Sequence, residues 1–220
     1  HIHDRRQRQM CIRDRYTQLI ARRVRELNVY CEIHPFNKIP KDLDSFKALI
    51  LSGSPYSVRE ADSPRINLDM LLSKFPTLAV CYGAQLIAQE MGGVVSASNI
   101  REYGRANLII KKNDSILFDE VENNNQVWMS HSDTIKQLPK NSLLLASSDD
   151  VENVAYKYLD NTYCLQFHPE VYHTAEGKKI LENFLTKICK LKQTWTPDSF
   201  IDATIDCLLY TSDAADDRGC

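Results

Sequence analysis

Apolar positions along the chain change spacing from segment to segment. In "YTQLIARRVRELN", residues 16–28, Tyr16, Ile20, Val24 and Leu27 recur at helical intervals with arginines between them, which predicts an amphipathic helix stopped at Asn28. "VYCEIH" (29–34) and "FKALILSGSP" (46–55) read as strands. "INLDMLLSKF" (66–75) returns to helical spacing through Leu68, Leu71, Leu72 and Phe75, "TLAVC" (77–81) reads as a buried strand, and "GAQLIAQEMGG" (83–93) as a helix ended by Gly92 and Gly93. Beyond it "GVVSAS", "ANLIIKK", "QVWMSHSD", "SLLLASS", "NVAYKYL" and "TYCLQFH" are short, closely spaced strands of the kind that form hairpins. "TAEGKKILENFLTKICK" then places Ile180, Leu181, Phe184, Leu185 and Ile188 on one helical face.

The order predicts an α/β domain: a mostly parallel sheet with helices on both faces plus a small antiparallel extension. A helix at Tyr16 should follow a strand, because its apolar face must pack back on a sheet. Residues 1–15 do not read as one, so the first strand is expected to be missing or replaced. Losing a central strand would remove several buried side chains at ~1.5–3 kcal/mol each from a total of about 5–15 kcal/mol; the chain as written is expected to fold poorly alone. Residues 1–15 and 207–220 read as a non-native leader and tail.

Composition narrows the function. The 220 residues are 43 % hydrophobic and 25 % charged with a formal net charge of −2, which suits one ordinary globular domain and offers no basic footprint for nucleic acid. No apolar run is long enough for a membrane span and no secretory signal opens the chain, so the cytoplasm is the expected compartment. The seven cysteines, at 11, 31, 81, 164, 189, 207 and 220, include no C-x-x-C pair and suit a reducing compartment. There is no H-E-x-x-H; His173 reads as a loop residue and no metal is expected.

Three short stretches carry candidate chemistry. Cys81 joins a buried strand to a helix, with Ala79 and Gly83 two positions either side, as a tight nucleophile-bearing turn requires. The helix N-terminus would favour a thiolate there, although a lone cysteine of this kind is more often a small core residue. In "QFHPEV", His168 ends a strand and Glu170 follows across Pro169. The imidazole could take a thiol proton and protonate a leaving amine while the carboxylate orients it; alone, the pair suits a strand-end histidine and a solvated charge equally well. In "LILSGSPYSV", Gly53 would let the Ser54 amide point into the cleft, making a two-donor oxyanion hole with the amide of Tyr82. His131 and Asp133 in "MSHSD" suit either a substrate contact or a turn. Cysteine, histidine, glutamate and two amides together form a complete acyl-transfer set.

"AVCYGAQLIAQEMGG", "LSGSPYSV" followed by "SPRI", "VWMSHSD" and "QFHPEVYHT" resemble the glutamine amidotransferases of the triad type, most closely the branch that forms the N-terminal domain of glutamine-hydrolysing GMP synthases. The resemblance covers residues 16–192 and implies a flavodoxin-like amidotransferase fold. It implies glutamine hydrolysis through a Cys81 thioester, His168 as acid and base, Glu170 as its orienter, and the Ser54 and Tyr82 amides on the oxyanion. Gly53, Gln85, Ser130, Ser132 and Asp133 are implied to lie near the bound glutamine. No cofactor is implied in this domain; ATP and magnesium belong to an ATP pyrophosphatase/synthetase domain, absent here, that aminates XMP to GMP. Residues 193–206 look like the linker toward it. The family's first strand and its phenylalanine-glycine-serine-glutamine turn are replaced by "MCIRDR", and Ser54 stands where a second glycine is usual. An anthranilate- or aminodeoxychorismate-type amidotransferase, and a domain that binds without turnover, are the alternatives.

Overall fold

The computed structural model describes residues 15–40, 42–112 and 114–197, with Arg15 and residues 99–102 described by backbone alone. The replaced first strand, the leader to residue 14, most of the linker and the tail lie outside the described residues.

Helix α1 (Arg15–Glu26) buries Ile20, Ala21 and Val24, followed by Leu27, as its spacing predicts, and Arg22 and Arg23 both pair with Glu26 on the outer face. Tyr16 departs from that face. It is 36 % exposed, and its ring lies on His168 instead of entering the core.

Residues 29–34 correct a second expectation. They form no ladder among the described residues. A strand needs a neighbour's backbone groups as well as an apolar period, and among the described residues the edge strand β1 (Leu49–Leu51) pairs with β2 (Thr77–Val80) and not with this segment. The segment is held instead by individual bonds: Arg25 Nη2 donates to the Cys31 carbonyl at 3.0 Å, and the Trp195 amide to the Asn28 carbonyl at 2.9 Å.

The remaining strands are β3 (Val94–Ile110), β4 (Asn125–Gln137), β5 (Ser142–Ser147), β6 (Ala155–Tyr158) and β7 (Thr162–Leu165). Among the described residues they form one mixed sheet in the order β1-β2-β7-β6-β5-β3-β4. β1, β2 and β7 run parallel; from β7 outward every pairing is antiparallel. Alternation along the parallel strands feeds two apolar layers. Leu78, Val80, Tyr163 and Leu165 join Ile20 and Val24 of α1 on one face, while Ala79 and Cys164 join Leu68 of α2 (Leu68–Lys74) and Ile87 of α3 (Tyr82–Glu90) on the other. Ile180 of α4 (Gly177–Glu182), which continues into a π-helical turn at Asn183–Ile188, packs on the first layer. Asn67 caps α2 by accepting from the Met70 amide at 3.1 Å.

This arrangement brings the C-terminal ends of three neighbouring parallel strands to one rim, where Gly53, Cys81 and His168 follow them; ligands of open α/β sheets bind at such rims. No described helix is long and apolar enough to cross a membrane.

Candidate active site

At the end of β2 the Cys81 amide donates to the Leu165 carbonyl at 2.7 Å, and α3 begins at the next residue. Between them Cys81 adopts φ 51° and ψ −105°, a conformation side-chain-bearing residues rarely hold; holding it costs about 1–3 kcal/mol. Gly83 explains the tightness of the turn. A Cβ there would lie 2.8 Å from both the Cβ and the carbonyl oxygen of Leu51, so α3 crosses β1 with no room for a side chain. Ala79 is fully buried beneath. The small flanks therefore do what the sequence pattern requires, and Sγ faces the Ser130 carbonyl at 3.8 Å.

β7 leads through fully buried Phe167 to His168. The histidine is fixed at both backbone ends: its amide donates to the Trp128 carbonyl at 3.0 Å, and its carbonyl accepts from Thr174 Oγ1 at 2.6 Å. Its Nδ1 meets Glu170 Oε1 at 2.7 Å, with side chains 1 % and 0 % exposed. The other ring nitrogen is left for Cys81, whose side chain interacts with the imidazole. Burial disfavours the imidazolium, but the Cys81 and Glu170 partners outweigh it and raise the His168 pKa to about 10. At neutral pH the ring is a charged proton donor beside the sulfur.

Replacing Glu170 with glutamine removes the charge but keeps the shape. We expect Glu170→Gln to lower kcat for any reaction that runs through Cys81 and His168 by about 10² or more, and to move the alkaline limb of its pH profile toward lower pH. Unchanged limbs in a pH-rate measurement would remove Glu170 from the mechanism.

The loop after β1 lies against both Cys81 and His168. A Cβ on Gly53 would sit 3.3 Å from His168 Cε1 and 3.7 Å from Cys81 Cβ. Ser54 folds its hydroxyl back on the loop, accepting from the Tyr56 amide at 3.3 Å, so the serine in the glycine position leaves its side chain occupied locally. Tyr82 is the first residue of α3, where an amide has no acceptor within the helix; its hydroxyl donates to the Pro64 carbonyl at 2.6 Å.

One helical turn beyond Cys81, Gln85 Nε2 donates to the Asp133 carbonyl at 2.8 Å. The Asp133 carboxylate is 2 % exposed and engaged by the protein itself. Arg59 Nε and Nη2 reach Oδ1 at 3.1 and 2.9 Å, and the Ser57 hydroxyl takes Oδ2. Asp133 thus ties the loop carrying Gly53 and Ser54 to β4. Ser130 is half-buried with its carbonyl at the sulfur, whereas Ser132 is exposed, at a break in the β3–β4 register. His131 is buried, and desolvation carries its pKa down to about 4, so it is neutral at physiological pH. His173 is an exposed loop residue whose ring packs on Trp128 at 4.6 Å.

Five contributors escaped the sequence reading: Tyr16 on the imidazole, Arg23 Nε donating to the Glu170 carbonyl at 3.0 Å, Thr174 on the His168 carbonyl, and Ser57 with Arg59 on Asp133. Of these, Thr174 falls inside "QFHPEVYHT" and Ser57 inside "LSGSPYSV", while Tyr16, Arg23 and Arg59 belong to neither motif.

The family model for glutamine amidotransferase class-I matches residues 12–188. A GMP synthase [glutamine-hydrolyzing] from Christiangramia forsetii is 58 % identical over 191 residues, covering 86 % of this chain but 38 % of the relative. One from Porphyromonas gingivalis strain W83 is 49 % identical over 190 residues, covering 86 % and 37 %. The chain therefore spans less than two fifths of the curated relatives it matches. Among solved structures, a Thermoplasma acidophilum protein described as a GMP synthase subunit superposes with a TM-score of 0.66 at 30 % identity, covering 80 % of this chain and 88 % of that one. A glutamine amidotransferase from Thermotoga maritima shares the fold with a TM-score of 0.67 at 20 % identity, covering 76 % and 90 %.

Proposed function

Because the chain belongs to the class-I glutamine amidotransferase family, we propose that it hydrolyses glutamine to glutamate and ammonia for the ATP-dependent amination of XMP to GMP. The observation that carries the hydrolysis is the buried His168–Glu170 pair set against a cysteine in a strained strand-to-helix turn. The choice of XMP as acceptor rests on the relatives' names.

The Cys81 thiolate attacks the side-chain carbonyl carbon of glutamine, and the amides of Ser54 and Tyr82 take the negative charge on its oxygen. His168 gives its proton to the departing nitrogen, and ammonia leaves a γ-glutamyl thioester on Cys81. The neutral imidazole then removes a proton from water, the resulting hydroxide attacks the thioester, and glutamate leaves as the thiolate returns. Glu170 holds the ring in one tautomer throughout and stabilises its charged form. These steps use side chains and amides of this chain; ATP and magnesium are assigned to the synthetase domain of the same enzyme, in the cytoplasm. Gln85, one turn along α3, is assigned to the amino-acid end of glutamine, while Asp133 anchors the loop that carries Gly53 and Ser54.

An electrophilic glutamine analogue offered to the complete natural protein is expected to form an adduct on Cys81, located by mass spectrometry. A labelled residue elsewhere, or no label, overturns the nucleophile assignment. Supplying glutamine, ATP and magnesium with either XMP or chorismate then identifies the acceptor: nitrogen transfer to chorismate would replace the GMP reading by the anthranilate- or aminodeoxychorismate-type one.

A further inference from the structure

We propose that Tyr16 is a positioning residue for His168, holding the imidazole between Cys81 and Glu170 through the face of its ring. This rests on the glutaminase reading above. The Tyr16 and His168 rings are stacked, with centroids 4.3 Å apart and planes 29° from parallel. Nδ1 of His168 is held by Glu170, but a bond in the plane of the ring opposes tilting of the ring out of that plane only weakly. A second ring lying on the face blocks it.

The partner is chosen against the demands of the helix. The spacing of α1 would send Tyr16 into the core with Ile20 and Val24, and the residue is instead 36 % exposed, over a histidine that is 1 % exposed. The same helix touches the site twice more. Thr17 Oγ1 donates to Ser52 Oγ at 2.5 Å, beside Gly53, and Arg23 Nε donates to the Glu170 carbonyl at 3.0 Å. α1 therefore fastens the oxyanion loop, the general acid and its orienter at three separate points.

The chemistry of the stack favours the charged ring. An aromatic face attracts a cation, so Tyr16 stabilises the imidazolium that protonates the leaving ammonia. The other groups facing His168 are Cys81 at the head of α3, Glu170 on its own loop and His131 on β4; Arg23 reaches only the Glu170 backbone. The Cys81 and Glu170 side chains favour the charged ring, and a protonated His131 would oppose it; Tyr16 contributes with no charge of its own.

Three variants of the complete protein test this. Tyr16→Phe keeps the ring face, and kcat should stay within about twofold. Tyr16→Leu keeps apolar cover without the face. We expect kcat to fall about tenfold or more with KM little changed, and the alkaline limb of kcat/KM to move down by about half a pH unit. Tyr16→Ala removes both cover and stack and should lose more of kcat than the leucine variant. Should Tyr16→Ala fail to fold, the phenylalanine and leucine variants still decide. The proposal is overturned if leucine matches phenylalanine in both kcat and pH profile, or if the whole loss falls in KM. A parent protein with no glutaminase activity would instead refute the proposed function, which separates the two failures.

Discussion

Cys81→Gly is expected to hydrolyse glutamine at least about 10⁴-fold more slowly than the parent, since removing a nucleophile from a triad that acts as a unit leaves little turnover. It is also expected to be more stable than Cys81→Ala. That order inverts the usual one, in which glycine loses about 0.5–1 kcal/mol to alanine through chain entropy. The reason is the backbone: at φ 51° and ψ −105° alanine keeps the strain that cysteine bears, whereas glycine enters this region freely. Relieving about 1–3 kcal/mol of strain outweighs the entropy term and leaves glycine ahead by roughly 1 kcal/mol. Denaturant unfolding of both variants measures the difference, and ammonia release measures turnover. An alanine variant as stable as the glycine variant would mean that the turn is not strained. Activity above about one per cent of the parent would mean that the sulfur is not the nucleophile.

The same turn shows why part of this site is legible in a single sequence. A sharp strand-to-helix join constrains residues two positions away, so Ala79, Cys81 and Gly83 advertise it locally, and Gly83 proves to have no space for even a methyl group. His168 and Glu170 are similarly local: Pro169 ends the strand between them, and they meet at 2.7 Å across two residues. Contacts made across the fold carry no such signature. Tyr16 reads as a core residue because its spacing is that of Ile20 and Val24; only the tertiary structure places it on a ring 152 positions away in the chain. Asp133 matches a position near the substrate by resemblance, but its partners Ser57 and Arg59 stand 76 and 74 positions away, and their bonds make the carboxylate an anchor for the loop that carries Gly53 and Ser54. Residues 29–34 show the converse case, in which the local pattern is present and the pairing partner is not among the described residues.

Gly177→Ala is expected to damage both stability and turnover, although the position touches no reacting atom. A Cβ there would overlap the Pro169 carbonyl oxygen and fall 2.8 Å from its carbonyl carbon, so backbone must move. α4 cannot simply retreat, because Ile180 and Leu181 on its next turn are fully buried. Neither can Pro169 yield quietly, since it is joined directly to His168 and Glu170, and Thr174, just before α4, bonds both the His168 carbonyl and the Trp128 amide. The overlap should therefore cost about 1–3 kcal/mol or more and displace the imidazole. A shift of about 1 Å at a catalytic group costs on the order of 10² in rate, so kcat should fall by that order even at temperatures where the variant remains folded. Gly92→Ala supplies the contrast. Gly92 has φ +85° with nothing within 4 Å of an added Cβ, so alanine there strains only the end of α3, costing about 1–2 kcal/mol. Melting temperature should drop in both variants, but kcat only in Gly177→Ala. Equal kcat in the two, measured well below both melting points, would show that the Pro169 segment absorbs the overlap without moving His168. The close packing of α4 against it would then serve the fold and not the chemistry.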